Sequence, residues 1–126
     1  MREAIASEFD RVYDLVRGVV ERHGGYNKED IRACLAAGEM QAHVHGDDEI
    51  KFAVITEIVR YPRRWVYLLL FAGGNGIGEW KDTAKEYFET NARYFGCAEM
   101  QVIGRLGWGR VYPKAKTAWA IYRETL

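Results

Sequence analysis

Apolar residues recur every three or four positions at the start of the chain: Phe9, Val12, Tyr13, Val16, Val19 and Val20. That spacing lays them along one stripe and predicts an amphipathic helix over about residues 3–22. Gly24-Gly25 ends it. Asn27, followed by Lys28-Glu29-Asp30, has the chemistry of an N-cap for a short second helix carrying Ile31, Cys34 and Leu35, which Gly38 stops. The period then changes from helical to two. Met40, Ala42 and Val44 alternate with Gln41, His43 and His45, which predicts a strand with the histidines on its polar, exposed face. After the turn residues Gly46-Asp47-Asp48, alternation from Ile50 to Val59 predicts a long second strand, and Tyr61-Pro62-Arg63 turns the chain again.

Residues 64–71 are apolar on both faces, as in a strand covered on both sides. Glycines crowd the segment that follows, Gly73-Gly74-Asn75-Gly76-Ile77-Gly78. Beyond it Trp80, Ala84, Tyr87, Phe88, Ala92 and Phe95 recur at helical spacing until Gly96. Residues 98–103 read as a strand. The strand–helix–strand connection implies that the two strands it joins run parallel. A short helix is expected at residues 105–112 and a last strand at 118–125. The reading is one domain spanning 1–126: an α/β (α+β) fold with a mixed, mostly antiparallel central sheet and helices on both faces.

Composition narrows the partners. Lys plus Arg and Asp plus Glu both number 18, so the chain exerts no net pull on a polyanion and nucleic acid is not an expected partner. No apolar run reaches membrane-spanning length, so no membrane partner is expected either. The charged, amphipathic N-terminal stretch does not have the form of a signal peptide. Cys34 and Cys97 lack metal-type spacing and read as reduced thiols of a cytoplasmic protein. His43 and His45 could share a metal only with a third ligand, which the sequence does not supply, so no metal site is assigned.

A glycine-dense turn between a strand and a helix is a common pyrophosphate cradle. Glycine lets the backbone approach the anion, and the first helical N–H groups point at it. A P-loop is excluded because Glu79-Trp80 stands where lysine and a hydroxyl are needed. A dinucleotide-binding loop is excluded because the glycine spacing is reversed and antiparallel strands come first.

The element order and this turn resemble the Gcn5-related N-acetyltransferase (GNAT) superfamily, whose loop reads Gln/Arg-x-x-Gly-x-Gly/Ala. Gly76 and Gly78 match it, whereas Gly73 stands where that family has Gln or Arg. Towards the C-terminus, Cys97-Ala98-Glu99-Met100, Gly104-Arg105-Leu106-Gly107-Trp108 and Ile121-Tyr122-Arg123-Glu124-Thr125-Leu126 are similar to small GNAT-like proteins of tailed bacteriophages and prophages.

The resemblance implies acetyl-CoA as cofactor. Its pyrophosphate would lie on Gly73, Gly74, Asn75, Gly76, Ile77 and Gly78, and its pantetheine arm would pair with strand 64–71 where that strand parts from 98–103. Transfer of the acetyl group to an amine would use Tyr112 as acid and Glu57, or water, as base, because strand 64–71 carries neither acid nor histidine. The phage likeness implies an alternative: a non-catalytic virion-assembly or accessory protein, forming a homo-oligomer or joining phage structural proteins, with Trp108 as an anchor. The corresponding locations are the bacterial host cytoplasm or the virion.

Overall fold

The structure is a computed structural model that describes residues 1–46, 48–104, 114–116 and 121–126, apart from the side chains of Ile77, Glu79 and Trp80. Five strands form one sheet in the order β1-β2-β3-β4-β5, made of β1 (Arg2–Glu3), β2 (Met40–His45), β3 (Phe52–Arg60), β4 (Trp65–Gly74) and β5 (Glu99–Val102). The first four pair antiparallel, and β4 with β5 is parallel. Three α-helices accompany them: α1 (Phe9–His23), α2 (Lys28–Ala36) and α3 (Ile77–Tyr94).

The predicted first helix begins later than its periodicity suggests. Residues 2–3 pair with the edge of β2, and a single 3-10 turn, Ala6–Glu8, leads into α1. The Glu8 carboxylate accepts from the Ile5 amide and from both terminal nitrogens of Arg2, at 2.7–2.9 Å, which holds the chain at that switch. The two helix boundaries that glycine and asparagine announced are where they were expected. Gly24 takes the left-handed conformation at the end of α1 (φ 78°). Asn27 and Asp30 cap each other's backbone at the start of α2.

One face of the sheet is covered by α1 and α2. Val12, Val16 and Val20 of α1 and Ile31 of α2 pack with Ala42, Val44, Ala53, Ile55, Leu68, Leu70 and Phe71. The other face is covered by α3, where Ala84, Phe88 and Ala92 meet Phe52, Val54, Tyr67 and Leu69. Phe95, expected on the buried stripe of α3, lies past its end and is 43% exposed.

His43 corrects the expectation of an exposed polar face on β2. It faces α3, is 4% exposed, and joins a polar cluster inside the core with Tyr87, Thr56 and Tyr67. Alternation could not reveal this, because a sheet covered on both faces buries both sets of side chains. Residues 121–126, expected to complete a last strand, carry no regular structure. Instead the Arg123 guanidinium donates to the carbonyls of Arg22 and His23 at the end of α1, where a cation suits both the helix dipole and the unpaired carbonyls. The expected helix at 105–112, with Trp108 and Tyr112, lies outside the described residues, as do residues 118–120 of the expected last strand.

Candidate functional site

The glycine-rich run divides into parts with different physical roles. Gly73 and Gly74 are not turn residues but the end of β4, opposite Ala53 and Phe52. A Cβ on Gly73 would lie 2.0 Å from the Leu15 carbonyl oxygen, so glycine there lets α1 rest directly on the strand. Gly74 has φ 126°, and a Cβ would meet the Lys51 carbonyl at 2.2 Å. That same carbonyl accepts from the Asn75 amide at 2.9 Å. Of the expected anion-binding stretch, Gly73, Gly74 and Asn75 therefore serve the fold.

The second half of the run is different. Gly76 is the N-cap of α3, with φ 83° and no side-chain cap. The backbone N–H groups of residues 77–79, in the first turn, have no carbonyl partner within the helix. A Cβ built on Gly78 would meet nothing within 4 Å. The two glycines that match the GNAT loop are thus a left-handed cap and an open first turn, the arrangement a diphosphate needs from backbone alone.

The strand leading to this turn is bent at one residue. Ile55 pairs with Phe71 and Thr56 with Leu69, so Leu70 is an extra residue with no partner across β3. Leu70 and Phe71 consequently both face the α1/α2 side. Pairing between β4 and β5 ends at the same place: the last matched pair is Leu69 with Val102, followed by one bond from the Ile103 amide to the Leu69 carbonyl. Among the described residues, no strand accompanies β4 from Leu70 to Gly74 on its β5 side. An extended ligand could pair with that free edge as an added strand and reach the first turn of α3.

On the α1/α2 side of the bend, three rings meet edge to face or tilted. His23 and Tyr26 lie with centroids 5.4 Å apart, and Phe71 is 5.4 Å from His23 and 5.9 Å from Tyr26. Glu57 shares this face, opposite Leu68 in the ladder. Burial, and secondarily the Glu39 carboxylate, raises its pKa above the ordinary carboxylate value. Burial, and then Glu57, likewise raises the Tyr26 hydroxyl. A carboxyl held in this way can take a proton from an ammonium more readily than a solvated one. Tyr112, the other expected catalytic residue, lies outside the described residues. His23 and Tyr26 escaped the sequence reading because they sit at a helix end and in a loop. Only the register of Phe71 brings the three rings together. Among the described residues, no group of three or more His, Cys, Asp and Glu is placed to hold a metal ion, and no helix is long and apolar enough to cross a membrane.

No protein-family model matches the chain, and no curated protein matches it significantly. Solved structures do. A predicted acetyltransferase with acetyl-CoA from Clostridium acetobutylicum superposes with TM-score 0.73 at 10% identity, over 97% of this chain and 94% of that one. A transcriptional regulator from Bacillus halodurans does so with TM-score 0.72 at 13% identity, over 99% and 97%. An acetyltransferase from Trypanosoma brucei gives 0.66 at 13% identity, over 99% and 94%. At these identities the likeness is one of fold, and the fold is GNAT-like: a five-stranded, mostly antiparallel sheet with helices on both faces.

Proposed function

We propose that this chain is an acetyl-CoA-dependent N-acyltransferase. The observation that carries the reading is the coincidence at Leu70: β4 bends there, its pairing with β5 stops there, and its free edge leads to the open first turn of α3. Gly76 and Gly78, with the backbone of Ile77, would hold the pyrophosphate of the cofactor, and the edge of β4 would hold its pantetheine arm. When bound, acetyl-CoA supplies the activated acyl group. Glu57 would receive the proton of the acceptor amine, directly or through water, and Tyr112 would return one to the departing thiolate. The partner is then a CoA-type small molecule and the location the bacterial cytoplasm.

Isothermal titration with acetyl-CoA and desulfo-CoA tests the binding. Heat with both supports the reading, and none at high protein concentration ends it.

A second reading is favoured by a different observation. Gly73, Gly74 and the Asn75 amide are already used by the fold, and β4 has no acidic residue. A non-catalytic protein of a phage or prophage, in virion assembly or as an accessory subunit, could keep the glycines for packing alone. Light scattering that finds a stable oligomer, with the chain present in purified particles, would favour it. A monomer absent from particles would count against it.

A further inference from the structure

The end of the sheet remote from the glycine run exposes four aromatic rings. Tyr61 is 47% exposed, Trp65 41%, Tyr94 82% and Phe95 43%. They come from two places, the β3–β4 turn and the end of α3. The Ala98 amide joins these by donating to the Trp65 carbonyl at 3.0 Å. Tyr94 and Phe95 stand edge to face with centroids 5.1 Å apart.

Arginines are interleaved with the rings. The Arg60 guanidinium lies 4.7 Å from the centre of the Trp65 ring, and that of Arg64 lies 5.7 Å from Tyr61. Arg64 is also tied to Glu99 at 3.4 Å, and Arg93 to Glu89 at 3.9 Å. Arg60 and Arg63 have no carboxylate partner among the described residues. The chain as a whole is balanced, 18 against 18, so this local surplus of positive charge is a property of one surface.

We propose that this surface docks an acidic segment of a partner protein. Trp, Tyr and Arg are the residues on which binding energy concentrates at protein interfaces. A guanidinium stacked on an aromatic ring is held in place and still presents its N–H fork to a carboxylate. A nucleic acid fits less well, because a chain of zero net charge supplies no long-range attraction for a polyanion. The surface works independently of the proposed cofactor site, since Trp65 and Gly74 stand at opposite ends of β4, about 30 Å apart at strand rise.

The test follows backbone amide NMR shifts during titration with a short synthetic peptide alternating Asp or Glu with Leu. Parallel titrations use the same peptide with Lys in place of the acids and a single-stranded oligothymidylate. The acidic peptide is expected to move the amides of residues 60–65 and 94–99, less so at high salt, while the Lys peptide leaves them in place. The double variant Arg60→Gln, Arg63→Gln should weaken binding about tenfold or more. Both side chains are exposed, so the thermal transition should be unchanged. The charge-keeping Arg63→Lys should retain most of the binding. No shift at saturating peptide, or shifts confined to another surface, would overturn the proposal. So would a stronger response of the same amides to oligothymidylate, or their movement with protein concentration alone, which would assign the surface to nucleic acid or to a second copy of the chain. None of these outcomes depends on whether acetyl-CoA binds.

Discussion

The Nδ1 atom of His43 lies 2.8 Å from the hydroxyl oxygen of Tyr87, joining β2 to α3 through the core. The other ring nitrogen is 3.0 Å from the Thr56 hydroxyl and 3.5 Å from that of Tyr67. A neutral imidazole donates at one nitrogen and accepts at the other, and hydroxyl groups can meet either demand. No buried side-chain nitrogen or oxygen among the described residues lacks a partner. The cluster therefore satisfies itself without water, in the layer that holds α3 onto the sheet.

Acid should loosen this layer. Burial holds the His43 pKa down to about 4, against an ordinary 6.5. The unfolded chain therefore takes up the proton first, at a pH where the folded one resists it. Stability is complete above the unfolded value and falls as pH drops from 6.5 towards 4. At ~1.4 kcal/mol per pH unit this interval corresponds to a loss of about 3 kcal/mol. Denaturant unfolding measured across that range should show the slope. His43→Gln, which keeps a polar side chain but cannot titrate, should flatten it while lowering stability at neutral pH.

The glycines should separate by consequence. Gly73→Ala places a carbon 2.0 Å from the Leu15 carbonyl. It should cost stability on the scale of core overpacking, about 1–3 kcal/mol. Gly78→Ala meets nothing and improves helix propensity, so it should be neutral or stabilising by up to about 1 kcal/mol. Acetyl-CoA affinity, if the proposed site is correct, should fall for Gly78→Ala. Thermal melts with and without ligand measure both effects. Equal affinity for wild type and Gly78→Ala would remove the first turn of α3 from the site.

Glu57 is predicted to act in the proton step and not in cofactor binding. Its carboxyl is raised by burial and by Glu39, so the acid limb of kcat/KM should lie above the range of a solvated carboxylate. Glu57→Gln should lower kcat and abolish that limb, leaving the acetyl-CoA dissociation constant unchanged. An unaltered pH profile would transfer the role to water.

The start of α2 offers a test of local structure alone. Asn27 and Asp30 each accept from the other's amide, at 2.8 and 2.9 Å. Asn27→Ala should destabilise the protein by about 1 kcal/mol, read by chemical denaturation, without effect on ligand affinity.

The sequence by itself determined the elements. Periodicity placed α1, α2, β2, β3 and α3. Gly24 and Asn27 marked helix ends because each supplies a backbone conformation or a hydrogen bond that a helix terminus requires. The apolar run at 64–71 and the crossover after it announced a covered strand with a parallel neighbour, as β4 and β5 are.

Tertiary structure decided what those residues do. The Leu70 bulge depends on how β4 aligns with β3, and no local pattern records it. Gly73 resembled a turn glycine, but the backbone of α1 packed against it is what excludes a side chain. His43 occupied a polar position in an alternating strand, yet α3 covers that face and turns it into a core residue. Spacing along the chain reports local geometry. Contact between elements distant in sequence sets burial, close approach and register, and through them the chemistry of a site.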